Sequence, residues 1–188
     1  MIIVAGPPGS GKSTAFPVSG FGVDQFNADD FAANLNAGSY LRIPLSCRKS
    51  ANRAFEAFVE RQIDARSSFA IETTLRSQIT FQQVRAAQSA GFHVEMRYLC
   101  LASFPMHIDR VRLRAKLNGH SAPISKLKRI YDASLAHLPQ AIRSIPYPVY
   151  DNSRWAEPPQ VLLQVSNGEI LFQGHNLPDW LANALHPL

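Results

Sequence analysis

An α/β fold is what this sequence predicts, and three observations carry the prediction. The run Met1–Ala5 is short, apolar and β-branched, as in a strand buried on both faces of a parallel sheet. A glycine-rich turn follows it directly. Beyond the turn, apolar runs of strand length alternate with segments of helical period, at the spacing of strand–helix–strand units. A mostly parallel sheet covered on both faces is the expected architecture.

Taken in order, Met1–Ala5 is the first strand, and Pro17 ends the helix after the glycine turn early. Phe21–Phe26 is a candidate second strand, with Asn27 and Asp29 just past its end, where either suits the N-cap of a following helix. Ala51, Ala54, Phe55, Phe58 and Ile63 share one side of a helix of about four turns. Ser68–Ile71 is the third strand and ends at Glu72-Thr73-Thr74. A helix carrying Ile79, Val84 and Ala87 follows, and Gly91 suits its C′ position. Phe92–Leu101 is the clearest strand, with Phe92, Val94, Met96, Tyr98 and Cys100 in alternation.

Ser103 and Pro105 start a helix that reaches Leu117, breaks at Asn118-Gly119 and resumes near Pro123. Pro146–Asp151 is the fifth strand. Val161–Gln173 is a hairpin, because Asn167-Gly168 favours a type I′ turn between two apolar runs. Pro178–Leu185 closes the chain as a short helix.

The 188 residues make one domain, 1–188, with a lid region over about 105–138 and the hairpin and helix over about 161–186. A hydrophobic fraction of 46% and a charged fraction of 18% are ordinary for a globular chain. Cys47 and Cys100 stand alone, which excludes a zinc ribbon or a disulfide framework and points to reduced thiols. No apolar run has the length of a membrane span, and no export signal is visible at Met1, so a cytoplasmic location without membrane association is expected. The net charge of +5 is concentrated: Arg110, Arg112, Arg114, Lys116, Lys126, Lys128 and Arg129 fall in a stretch without one acidic residue. Such a block calls for an anionic ligand or a solvated helix face.

Gly6-Pro7-Pro8-Gly9-Ser10-Gly11-Lys12-Ser13 fits G-x-x-x-x-G-K-[ST], between a buried strand and a helix start as the motif requires. Its glycines let backbone N–H groups turn in around phosphate oxygens. Lys12 reaches the β- and γ-phosphates of ATP, Ser13 is the Mg²⁺ ligand, and Thr14 completes the nucleotide-binding segment. The ABC signature LSGGQ is absent, and Phe69-Ala70-Ile71 ends in a lone Glu72 instead of Asp-Glu, which disfavours hydrolytic machines.

Asn27-Ala28-Asp29-Asp30 lies at the carboxyl edge of the sheet, where ligands bind in open α/β folds. A carboxylate there can take the proton of an attacking hydroxyl. Glu72, Thr73 and Thr74 bring polar groups to the same edge, with Arg76 nearby as a substrate contact or a surface residue. Arg110 and Arg114 share a helix face and suit closure over a transferred phosphoryl group, Arg112 points elsewhere, and Arg129 returns from the next helix. His120 lacks partners at ligand spacing and is read as a hinge residue.

The chain resembles the zeta-toxin family of P-loop kinases, in its short members often labelled ABC-type ATPases. The resemblance is carried in order by Gly6–Thr14, Asn27-Ala28-Asp29-Asp30, Phe69–Leu75, Ala90-Gly91-Phe92, Arg110-Val111, Gly119-His120 with Pro123, Arg129-Ile130-Tyr131 and Tyr150–Ser153. It implies a P-loop three-layer fold with a five-stranded sheet in the order 2-3-1-4-5 and a helical lid. It implies a Mg-ATP-dependent kinase acting on a hydroxyl of a small-molecule acceptor, UDP-N-acetylglucosamine in the best-known members, and an antitoxin protein as partner. By the same resemblance Asp29 is the base, Asn27 and Glu72 contact substrate, and Arg110 and Arg114 are the lid arginines. The chain departs from the family where Asn118-Gly119-His120-Ser121-Ala122-Pro123 replaces Gly-Gly-His-x-Val-Pro, and in being shorter than the toxins that act on UDP-N-acetylglucosamine. It departs again where Arg76-Ser77 replaces Ser-Gly, the departure that bears on the acceptor. The rival function is a nucleic-acid-binding NTPase or polynucleotide kinase using the segment 110–129 as a phosphate track. Against it, the basic block lacks interleaved aromatics.

Overall fold

The computed structural model describes residues 1–116, 122–166 and 168–186. Seven strands form one sheet in the order β2-β3-β1-β4-β5-β6-β7. They are β1 (Ile2–Ala5), β2 (Asp24–Phe26), β3 (Phe69–Thr73), β4 (Glu95–Cys100), β5 (Tyr147–Asp151), β6 (Gln160–Ser166) and β7 (Glu169–Gln173). The first five run parallel in the expected order 2-3-1-4-5. The hairpin β6–β7 extends this sheet antiparallel from β5, giving seven strands where five and an appendage were expected. The expected turn at Asn167 and hinge at Asn118-Gly119-His120 lie outside the described residues.

Eight helices accompany the sheet in the described residues: α1 (Lys12–Ala15), α2 (Ala28–Asn34), α3 (Leu45–Asp64), α4 (Ile79–Ser89), α5 (Phe104–Lys116), α6 (Ile124–Ala136), α7 (Leu138–Ser144) and α8 (Asp179–Leu185). One face of the sheet is covered by α3, α4, α6, α7 and α8. Ile3, Phe69, Ile71, Met96, Tyr98, Tyr147 and Val149 point into that core, which holds most of the buried apolar surface. The other face is thinner. Because Pro17 stops α1 after one turn, a 3₁₀ turn at Val18–Phe21 and the rings of Phe16 and Phe21 cover Val4, Ala70 and Leu99. Those two rings hold the Arg97 guanidinium at 5.0 and 4.8 Å.

The second strand is shorter than Phe21–Phe26, because Val18–Phe21 is taken up by the 3₁₀ turn. Gly91, at φ +86, follows the end of α4 as expected. A row of contacting rings, Phe31, Phe26, Phe58, Phe69 and Phe92, ties α2 and α3 to β3 at centroid separations of 5.3 to 6.0 Å. That row fixes the helices bearing Asp29 and Arg48 beside the carboxyl edge. No helix in the described residues is long and apolar enough to cross a membrane.

Candidate active site

The phosphate loop leaves β1 between its two neighbours, and Gly6 N–H donates to Thr73 O at 3.2 Å. Two of its glycines are sterically obligatory. A Cβ on Gly6, at φ +142, would lie 2.0 Å from the Leu99 carbonyl oxygen, and one on Gly9, at φ +80, would lie 2.6 Å from that of His107. Lys12 is 6% exposed and folds over the loop, its Nζ donating to Gly6 O at 2.9 Å and Pro7 O at 3.2 Å. Burial lowers its ammonium pKa below the ordinary lysine range, against the opposing pull of Glu72.

Glu72 joins the loop to β3. Its carboxylate accepts from Ser13 Oγ at 2.7 Å and sits 3.8 Å from Lys12 Nζ. The register explains this, since Glu72 is paired with Val4 one residue before the strand runs into the loop.

A cleft of about 350 Å³ opens in front of the loop. Pro8, Lys12, Asn27, Asp29, Glu72, Thr73, Thr74, Arg76 and Arg114 all border it, so half of the site residues read from the sequence line one cleft. The two aspartates diverge. Asn27 is the N-cap of α2, accepting from Asp29 N–H at 2.9 Å and Asp30 N–H at 3.2 Å. Asn27, not Asp29, is therefore the cap, and Asp29 borders the cleft. Asp30 instead accepts from the Tyr40 hydroxyl at 2.6 Å. Thr73 is committed to the turn: its Oγ1 accepts from Leu75 N–H at 3.1 Å and bonds Thr80, while Leu75 adopts φ +55 with its side chain fully buried.

The lid arginines separate. Arg114 borders the cleft. Arg110 does not; its Nη2 donates to Asn152 O at 2.6 Å and Ser153 O at 3.4 Å, beside the phosphate loop. Arg112 is exposed and lies 4.0 Å from Asp109, as a surface residue should. Arg129 is exposed and does not border the cleft; Lys126, one turn earlier on α6, takes that place. Helix α6 packs through Leu127 and Ile130, which turns Lys126 inward and Arg129 out.

Several residues at or near the cleft were not singled out as site residues in the sequence. Arg48, Asn52 and Glu56 come from α3, at a spacing any amphipathic helix shows. Asn152 lies in a segment already noted as Tyr150–Ser153, and its Nδ2 donates to Ser10 O at 2.8 Å. His107 is a lone histidine on the buried side of a largely charged helix, α5, yet it bonds the loop at Pro8 O. Cys100 is buried, which pushes its thiol pKa far up and leaves it without nucleophilic character.

No protein-family model matches the sequence, and no curated protein resembles it significantly. Solved structures do. A chain of the AvrRxo1-ORF1:-ORF2 complex with ATP is similar with a TM-score of 0.68 and 18% identity, over 90% of this chain and 59% of that one. A chain of the PezAT chromosomal toxin–antitoxin system of Streptococcus pneumoniae is similar at a TM-score of 0.60 and 12% identity, over 80% and 66%. A chain of the Pnkp1/Rnl/Hen1 RNA repair complex is similar at 0.56 and 21%, over 72% and 43%. This chain thus spans about three fifths of the AvrRxo1 chain it matches. The fold is the one these chains share, a P-loop α/β fold.

Proposed function

We propose that the protein is an ATP-dependent kinase that transfers the γ-phosphoryl group to a hydroxyl of a small-molecule acceptor. The observation that carries this is the convergence of Lys12, Glu72, Asp29 and Arg114 on one cleft in front of the phosphate loop. Lys12 and the loop amides hold the β- and γ-phosphates. Asp29 accepts the proton of the acceptor hydroxyl as its oxygen bonds to the γ-phosphorus. The bond from that phosphorus to the β–γ bridging oxygen breaks, and ADP leaves. Arg114 and Lys126 offset the charge that spreads over the transferring group.

The hydroxyl of Ser13 and the carboxylate of Glu72 are hard oxygen donors in contact, and they fit a Mg²⁺ ion. When bound, that ion would neutralise phosphate charge. Glu72 then serves the metal side of the site as well as the acceptor cleft.

Arg48, Arg76 and Lys126 on the acceptor side favour an acceptor with its own anionic group, such as a UDP-N-acetylglucosamine-type sugar nucleotide. An antitoxin protein as partner belongs to the same reading and is supported by the likeness to the PezAT chain.

The test is incubation with Mg-ATP and an extracted metabolite pool, read by mass spectrometry. One small metabolite should gain a phosphoryl group with the wild type and not with Lys12→Ala. Transfer to nucleic acid ends, with an affinity that falls steeply with salt, would replace this acceptor class by a polynucleotide.

A further inference from the structure

Helix α5 is fastened to the phosphate loop by a buried histidine that the transfer reaction does not use. His107 is 2% exposed and lies in the first turns of α5, between the loop, the end of β4 and Tyr131 of α6. Its Nε2 is 3.1 Å from Leu101 N, and its Nδ1 is 2.8 Å from Pro8 O. The Leu101 N–H can only donate and the Pro8 carbonyl can only accept. The ring is therefore neutral, with its proton on Nδ1.

In a trans peptide the C=O and the following N–H point in opposite directions. A Pro8 carbonyl drawn to His107 sends the Gly9 N–H away from the His107 ring. The main chain of His107 presses on the same place, since its carbonyl oxygen would lie 2.6 Å from any Cβ on Gly9. Asn152 does the equivalent for the next plane but one, by donating to Ser10 O at 2.8 Å. Helix α5 goes on to Arg114, so His107 also sets the distance between the loop and the arginine at the cleft.

We propose that His107 is a positioning residue of the nucleotide site, whose Nδ1–H holds the Pro8 carbonyl so that the Gly9 N–H is presented to the phosphates of ATP. The proposal rests on reading the loop as an ATP site. Its two hydrogen bonds are separable. In His107→Asn the amide nitrogen stands near the place of Nδ1 and keeps the bond to Pro8, while Leu101 N–H loses its acceptor. In His107→Gln the amide oxygen stands near the place of Nε2 and keeps Leu101, while Pro8 loses its donor. Leu101 is fully buried, whereas Pro8 is half-buried and its carbonyl can turn to water.

Mg-ATP affinity is measured by calorimetry at pH 7.5, and Tm is measured without nucleotide. His107→Gln should weaken ATP binding about tenfold, the worth of one oriented hydrogen bond, with the smaller loss of Tm. His107→Asn should bind ATP nearly as the wild type does, with the larger loss of Tm. Unchanged affinity in His107→Gln would overturn the proposal. So would affinities that fall in step with Tm in both variants, the mark of a purely structural role. If His107→Asn does not fold, the affinity of His107→Gln decides alone. A wild type that fails to bind ATP would overturn the ATP-site reading and this proposal together.

Discussion

His107 also carries a stability that depends on pH, and its size follows from its surroundings. Burial, with the nearby charges of Lys12 and Arg110, lowers the ring's pKa from 6.5 to about 4, and the bond to Pro8 O only partly opposes this. The Cys100 Sγ at 3.4 Å and the Tyr131 ring at 5.2 Å also face it, and both of these stay uncharged. A base with a depressed folded-state pKa binds its proton more readily when the chain is unfolded. Its contribution is complete above pH 6.5, falls as the pH drops towards 4, and is gone below that. At 1.36 kcal/mol per unit, the shift is worth on the order of 3 kcal/mol. The perturbation is His107→Gln, which keeps a neutral hydrogen-bonding side chain that does not titrate. Urea unfolding of both proteins between pH 7.5 and pH 4 cancels the carboxylates common to the two. The wild type should lose on the order of 3 kcal/mol relative to the variant across that range. Parallel stability curves would refute the placement of a neutral ring between Pro8 and Leu101.

Three other outcomes are expected from the site. Arg114→Ala should lower turnover by at least tenfold, in the range seen when a charge-stabilising group is removed, and Arg112→Ala should leave it near wild type. Comparable losses in steady-state assays of the two would contradict the assigned helix face. Gly9→Ala places a Cβ 2.6 Å from a backbone oxygen at φ +80, so ATP affinity by calorimetry should fall while far-UV circular dichroism is kept. Asn27→Ala removes the cap of α2 and should cost about 1 kcal/mol in urea unfolding; no loss would mean that the cap is not formed.

Much of the fold was legible in the sequence, and the reasons are local. The phosphate loop, the short α1 before Pro17 and the glycine after α4 are set by residues within a few positions of one another. The core side of β4 follows from alternation, and Val94, Met96, Tyr98 and Cys100 are all buried. What was less legible depends on packing. The helix that resumes near Pro123 has no end marked in the sequence reading, and in the structure His137 and Pro139 divide that stretch into α6 and α7. Spacing put Arg110 and Arg114 on one face, but it did not show that the Asn152 and Ser153 carbonyls lie within reach of Arg110. Lys126 and Arg129 are equally basic, and only the docking of Leu127 and Ile130 decides which one meets the cleft. His107 and Asn152 act through loop carbonyls far away in sequence, and no local pattern marks such a pair.

The central claim is that Asp29 is the base of a phosphoryl transfer to a hydroxyl, and Asp30 provides its internal control. Both lie in the first turn of α2, but Asp29 borders the cleft while Asp30 holds the Tyr40 hydroxyl at 2.6 Å. With the acceptor found in the metabolite screen, single-turnover transfer from ATP is measured for Asp29→Asn and Asp30→Asn. Asparagine has the same volume but cannot take the proton, so Asp29→Asn should slow transfer by roughly 10²–10⁴-fold with ATP affinity retained. Asp30→Asn should stay within a few-fold of wild type. An Asp29→Asn enzyme that transfers at nearly the wild-type rate would contradict the account.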